Sequence, residues 1–329
     1  MSNNGARPES QEQLFHWVET GDLGINDALI HLNTELGRQI SCARKETSDA
    51  LPSLEESMLQ LDALIGLEEV KRLVKELQAF VEIQRRREAV GLANERLVLH
   101  MIFKGNPGTG KTTVARILGA ILRAMGVLAK GHLVEVERAD LVGEYVGHTA
   151  QKTREQMRRA LGGILFIDEA YALARGGEKD FGKEAIDTLV KAMEDHKDQL
   201  IIILAGYRQE MEQFLQTNPG LRSRFPIHME FGDFGLDELL DIADLMLVQR
   251  QYALTREGRA KLKEILATRF TKEVVPSNAR LVRNIIEKAI RLQAVRLVAN
   301  IQASRDDLLS ITARDLEETT HYEGLSGHR

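Results

Sequence analysis

Apolar residues recur along this chain with two different periods. Leu14, Trp17 and Val18, then Ala28, Leu29 and Leu32, are spaced as on the faces of helices. The first dozen or so residues are polar and small, and a stretch rich in Ser, Thr and Pro follows near 47–53. Residues 1–60 therefore read as a helical appendage with a disordered start. From 61 the pattern changes. Leu73, Leu77, Phe80 and Val81 share a helical face, and short apolar runs of strand length then appear at 97–103, 133–136, 164–167, 200–205 and 227–231. Helical stretches separate most of these runs. Strands alternating with helices predict an α/β domain over 61–233, a parallel sheet with helices on both faces. After Asp233 the strand-like runs stop. Helices are expected over 236–248, 255–270, 279–301 and 312–319, with Thr255, Ser277 and Thr312 as N-cap residues. Residues 234–329 thus read as a small all-helical second domain.

Composition narrows the classes. Hydrophobic residues are 43% and charged residues 28% of the chain, as in an ordinary globular protein. A formal net charge of −5 argues against a primary nucleic-acid role, which needs a basic surface. Cys42 is the single cysteine, so neither an intramolecular disulfide nor a cysteine-based metal site is available within one chain. The polar N-terminus has no apolar signal core, and the aliphatic run at 200–205 is far short of a membrane span. A cytoplasmic location is the expectation.

The chemistry concentrates in two stretches. Residues 105–112 read GNPGTGKT, after a predicted strand and before a predicted helix. Glycines let successive N–H groups point at phosphate oxygens, and the helix N-terminus adds positive charge. Gly105, Asn106, Pro107, Gly108, Thr109, Gly110, Lys111, Thr112 and Thr113 are the candidate nucleotide-binding residues. Lys111 would reach the β- and γ-phosphates, and the Thr112 hydroxyl would bind Mg²⁺. Residues 164–169 read ILFIDE, a buried strand that ends in two acids. Buried carboxylates need a cation or a reacting water. Asp168 is the candidate Mg²⁺ partner and Glu169 the candidate base; the alternative is a pair of acids capping the next helix. No N-K-x-D guanine signature occurs, which favours ATP over GTP. His132, His148, His196 and His228 lack metal-ligand spacing, and Arg85, Arg86 and Arg87 read as a solvated helix face.

Over roughly 60–318 the chain resembles the AAA+ superfamily, and within it the group that holds stage V sporulation protein K and the red-type Rubisco activases. The stretches that carry the resemblance are HMIFKGNPGTGKTTVAR, ADLVGEYVGHTAQKT, GGILFIDEAYALARGGEKDFGKEAIDTLV, ILAGY and NPGLRSRFP. The resemblance implies that Ile65 and Gly66 contact the adenine; the alternative is a plain turn at the start of a helix. It implies an arginine finger at Arg224, with Arg222 as the alternative, reaching the γ-phosphate of a neighbouring subunit. It places Arg280 as a second sensor on the lid, with Arg283, one turn later, as the alternative. Tyr145-Val146-Gly147 fits the aromatic–hydrophobic–glycine pattern of a substrate-gripping pore loop; the alternative is that Tyr145 packs as a half-buried aromatic. One departure is visible: Ala205-Gly206-Tyr207-Arg208 offers no Asn, Thr or Ser where many relatives place a first sensor. The resemblance further implies ATP with Mg²⁺, a homo-oligomeric ring of six, and a protein client whose identity the sequence does not give. A branch-migration DNA motor and a nucleotide-gated scaffold without mechanical work are the rival readings.

Overall fold

The computed structural model describes residues 52–93, 98–145, 147–176, 180–196, 199–217, 219–270, 277–298 and 302–317. The helices expected within 13–40 lie outside these residues, as do Leu97, Val146 and the ends of the helices expected to reach 301 and 319. A compact unit spans Ser53–Arg329, and everything below concerns that unit.

Its centre is a five-stranded sheet in the order β2-β3-β4-β1-β5, formed by β1 Met101–Gly105, β2 Leu133–Val136, β3 Ile164–Ile167, β4 Ile201–Gly206 and β5 Ile227–Phe231. Every pairing is parallel, in registers such as Met101 with Ile203, Met101 with Ile227, and Ile164 with Ile201. The three central strands β3, β4 and β1 are buried along their whole length because both faces are covered, whereas the edge strands β2 and β5 leave Glu135 and Glu230 exposed. Ile202 and Leu204 join one core with Leu165, Ile167 and the helices that follow β2, β3 and β4. Ile201, Ile203 and Ala205 join the other, against α1 Leu54–Asp62, α2 Glu68–Ala89 and α3 Lys111–Ala124. Helix α1 starts on a capping box, in which Ser53 Oγ accepts the Glu56 N–H and Glu56 accepts the Ser53 N–H. Its Leu61 is fully buried in the second core.

The first strand begins at Met101, later than the apolar run at 97–103 suggests. At position 100 a side chain takes over from the ladder: His100 Nδ1 accepts the Ile202 N–H at 3.0 Å. Burial lowers the His100 pKa to about 4. An imidazole with a folded pKa below its unfolded value of 6.5 stabilises the fold fully above pH 6.5, and that contribution is lost as pH falls toward 4. The expected loss is up to about 3 kcal/mol. His100→Asn keeps an acceptor oxygen and cannot be protonated there. Chemical denaturation from pH 7 downward should show a flatter profile for this variant than for wild type; an unchanged slope would relieve His100 of the role.

Between β2 and β3 lie α4 Arg138–Leu141 and α5 His148–Ala160; α6 Gly182–Asp195 precedes β4, and α7 Arg208–Thr217 and α8 Pro219–Arg224 precede β5. The second domain follows as α9 Leu236–Gln249, α10 Arg256–Phe270, α11 Asn278–Val298, α12 Arg305–Leu309 and α13 Ala313–Glu317. Among the described residues it is helical apart from one feature the periodicity missed. Two-residue strands β6 Ala253–Leu254 and β7 Ser310–Ile311 pair in parallel, too short to produce a period. Thr255 caps α10 as expected, its Oγ1 accepting the Gly258 N–H at 3.0 Å.

Candidate active site

The loop at 105–110 turns from the carboxyl end of β1 into α3. Neighbouring backbone leaves no room for side chains at two of its glycines. A Cβ on Gly105 would sit 2.4 Å from the Phe231 carbonyl oxygen, and one on Gly108 would sit 2.4 Å from that of Ser277. Gly108 also has φ +73°, in the left-handed region that glycine tolerates best. Thr109 is fully buried and donates to the Asn106 carbonyl at 2.8 Å, closing the loop on itself. The Lys111 ammonium lies inside it, donating to the Gly105 and Asn106 carbonyls, both at 2.8 Å. Burial holds its pKa below the ordinary lysine range; Asp168 and Asp233 oppose that shift, and Arg280 adds to it. These four charges therefore share one electrostatic neighbourhood.

Asp168 and Glu169 leave the end of β3 beside the loop. The Asp168 N–H continues the ladder to the Val136 carbonyl at 3.0 Å. Its Oδ1 accepts the Glu169 N–H at 3.0 Å. Glu169 has φ 45°, ψ 43°, a left-handed conformation costing about 1 kcal/mol or more for a non-glycine residue. Its side chain makes no cap hydrogen bond to the 3-10 turn Ala170–Ala174 that it precedes. The two acids therefore sit at a strand end, with Glu169 exposed.

These groups line a cleft of about 420 Å³ between the sheet and the helical domain. Its polar wall is made by the phosphate loop, Lys111, Thr112, Thr113, Asp168 and Glu169, with Arg280 and Arg283 entering from α11. Its apolar wall is Leu64, Ile65 and Leu67 from the turn before α2, facing Phe234, Ile242 and Met246 of the second domain. Ile65 and Leu67 also pack on that domain's core. Gly66 is not on the cleft wall: it is left-handed, and a Cβ there would meet the Glu238 carboxylate at 2.4 Å. Tyr207, half-buried against Tyr171, lines the cleft at the end of β4.

The expected arginine fingers and the described pore-loop residues lie elsewhere. Arg224 of α8 forms an ion pair with Glu194 at 2.7 Å and donates to the Gly220 carbonyl at 2.9 Å. Arg222 is exposed on the same helix. Neither lines the cleft of its own chain. Tyr145 is 66% exposed and meets the His148 ring edge-to-face, ring centroids 5.5 Å apart. The loop that carries it is anchored from below, since Thr149 Oγ1 accepts the Gly143 N–H at 2.9 Å and Thr153 Oγ1 donates to the Leu141 carbonyl at 3.1 Å. Gly147 caps α5 with φ 82°. Sequence reasoning missed Asp233, Asn278 and the apolar residues of α9. No motif marks them, because their partners lie far away in sequence.

Known proteins share this arrangement. Residues 101–233 match the ATPase family associated with various cellular activities (AAA), and residues 235–324 match the AAA lid domain. Over 295 residues the chain is 52% identical to stage V sporulation protein K of Bacillus subtilis (strain 168), covering 89% of this chain and 91% of that protein. The chain belongs to the AAA ATPase family. It is also 48% identical over 257 residues to protein CbbX of Cereibacter sphaeroides, covering 78% of this chain and 82% of that one. Among solved structures, the Thermotoga maritima RuvB Holliday junction branch migration motor aligns with a TM-score of 0.52 at 20% identity, covering 79% of this chain and 70% of that one. That likeness shows the fold: an AAA domain of parallel strands followed by a helical lid. Nucleotide binding and ATP hydrolysis are the chemistry of the family. No described helix is long and apolar enough to cross a membrane.

Proposed function

We propose that this AAA ATPase remodels a protein client, working as a homo-oligomeric ring of six subunits driven by ATP and Mg²⁺. The phosphates bind on the loop N–H groups and Lys111, and the base lies between Ile65 and the lid. Among the described residues no group of three or more His, Cys, Asp and Glu could hold a metal ion. Mg²⁺ fits regardless, because it keeps several waters and needs one or two protein oxygens beside phosphate; here these are Thr112 and Asp168. Glu169 polarises the attacking water. Arg224 acts on the site of the neighbouring subunit, and Arg280 reports the phosphates to the lid.

The observation that carries the remodelling reading is Tyr145. A large ring 66% exposed on an anchored loop serves no packing need. In a ring it can grip a polypeptide by apolar contact largely irrespective of sequence. The likeness to stage V sporulation protein K supports a client linked to sporulation; the more distant likeness to CbbX supports a metabolic enzyme such as Rubisco. The RuvB fold likeness supports no DNA role, and the net charge of −5 argues against one.

The test uses a Glu169→Gln ring loaded with ATP in extract of the native cell. Proteins held by that ring should be lost when Tyr145→Ala is added and kept with Tyr145→Phe. ATP binding and assembly should survive both changes. If Tyr145→Ala instead melts early or stays monomeric, the tyrosine belongs to the fold and the gripping role is wrong.

A further inference from the structure

Lid and phosphate loop are tied together by a residue that the hydrolysis chemistry does not use. Asn278 opens α11, is 2% exposed and has a left-handed backbone, φ 50°. Its Oδ1 accepts the Phe234 N–H at 2.9 Å. Its Nδ2 donates to Asp233 Oδ1 at 2.8 Å and to the Pro107 carbonyl at 3.3 Å. The Asp233 carboxylate also receives the Asn106 amide, whose Nδ2 is 2.9 Å from each oxygen. Backbone contact adds to this, the Ala279 N–H donating to the Gly108 carbonyl at 3.2 Å. One buried amide thus joins the phosphate loop, the hinge after β5 and the start of α11.

Asparagine meets three demands at this point. It tolerates the left-handed region better than most residues. It offers an acceptor to one partner and two donors to others, so no buried polar atom is left without a bond. It also stands two residues before Arg280, on a helix of 21 residues, so the register of α11 at Asn278 fixes where that guanidinium enters the cleft. The Lys111 ammonium rests on the Gly105 and Asn106 carbonyls. Phosphates that draw it away alter the loop at Asn106, the first member of the chain Asn106–Asp233–Asn278.

We propose that Asn278 is a positioning residue for hydrolysis: through Asp233 and Asn106 it registers α11 against the phosphate loop and so sets Arg280 on the bound phosphates. This rests on the reading of the cleft as the ATP site.

The test is steady-state turnover of ATP with Mg²⁺ by the full chain, with melting curves and fluorescent-nucleotide binding on the same samples. Asn278→Gly keeps the left-handed backbone and removes the amide. It should lower kcat about tenfold or more while KM moves less than about threefold, since small misplacements of a catalytic group cost at least that much. Asn278→Asp, which sets a second carboxylate against Asp233, should do the same or worse. Combining it with Asp233→Asn restores a donor–acceptor pair of opposite polarity and should recover at least about half of the loss on a logarithmic scale. In an Arg280→Ala background, Asn278→Gly should cost less than about twofold, because the residue it positions is gone. The proposal is overturned if Asn278→Gly lowers only the melting temperature, if the polarity exchange rescues nothing, or if the loss is as large without Arg280. Lys111→Ala separates the two levels. Should it bind and hydrolyse ATP like wild type, the ATP site itself is misread. Should it lose binding while the Asn278 variants turn over normally, only the Asn278 proposal falls.

Discussion

Glu169→Gln is expected to bind ATP about as tightly as wild type and to hydrolyse it about a thousandfold more slowly, within the range that loss of a general base produces. The substitution keeps shape and hydrogen-bonding reach and removes the charge that draws a proton from water. Three observations motivate the choice of this acid. Glu169 stands at the carboxyl end of β3, beside Asp168 and on the wall of the cleft that Lys111 enters. Its backbone is held at φ 45°, a conformation a glutamate adopts only where surrounding structure imposes it. Its carboxylate makes no cap bond to the turn it precedes, so the competing role as a capping acid has no geometry behind it. Nucleotide binding by fluorescence and single-turnover phosphate release check the two halves separately. With hydrolysis stalled, sedimentation in ATP should show an assembly that persists rather than one that decays with turnover. Normal phosphate release by Glu169→Gln would leave the acid without a catalytic role.

The place of Glu169 at a strand end was legible in the sequence because its signal is local: four apolar residues, then two acids. The phosphate loop was legible for the same reason, and the five strands came from runs of apolar residues bounded by helices. What the sequence hid depends on pairs far apart along the chain. Asn278 meets Pro107 across 171 positions, and Asn106 meets Asp233 across 127. No period or spacing encodes such contacts. The His100 side chain enters the sheet as a substitute for a backbone acceptor, so a strand predicted from 97 begins at Met101. The β6–β7 pair is two residues long on each side, below the length at which alternation means anything. Gly66 shows a subtler limit. Its left-handed turn is real, yet the space above it belongs to Glu238 and the cleft wall to Ile65.

Arg224→Ala is expected to leave ATP binding intact and to lower hydrolysis about a thousandfold, the lower range for an arginine supplied in trans. In its own chain Arg224 does not line the cleft, so any contact it makes with a γ-phosphate is with that of another subunit. Its present partner is no obstacle. The pair with Glu194, at 2.7 Å, joins side chains that are 35% and 64% exposed, and a pair of that kind contributes about 1 kcal/mol or less. The neighbouring Phe225 is buried in the core beside His100, which fixes the end of α8, so that reaching a neighbour requires the guanidinium to give up only the Glu194 pair and its bond to the Gly220 carbonyl. Arg222, exposed on the same helix, is the competitor; Arg222→Ala should lose less than about tenfold if Arg224 is the finger. Mixing decides whether the action is in trans. Arg224→Ala subunits keep a working phosphate loop, and Lys111→Ala subunits keep a working arginine. Random equal mixing in a head-to-tail ring places an intact loop against an intact arginine at about a quarter of the interfaces. Two preparations that are inactive alone should therefore regain about that share of wild-type turnover. Co-assembly must be shown independently, by labelling each variant and following both through one sedimenting species. Co-assembled rings that stay inactive would mean that Arg224 serves its own subunit or none, and the coupling of hydrolysis to assembly would need another residue.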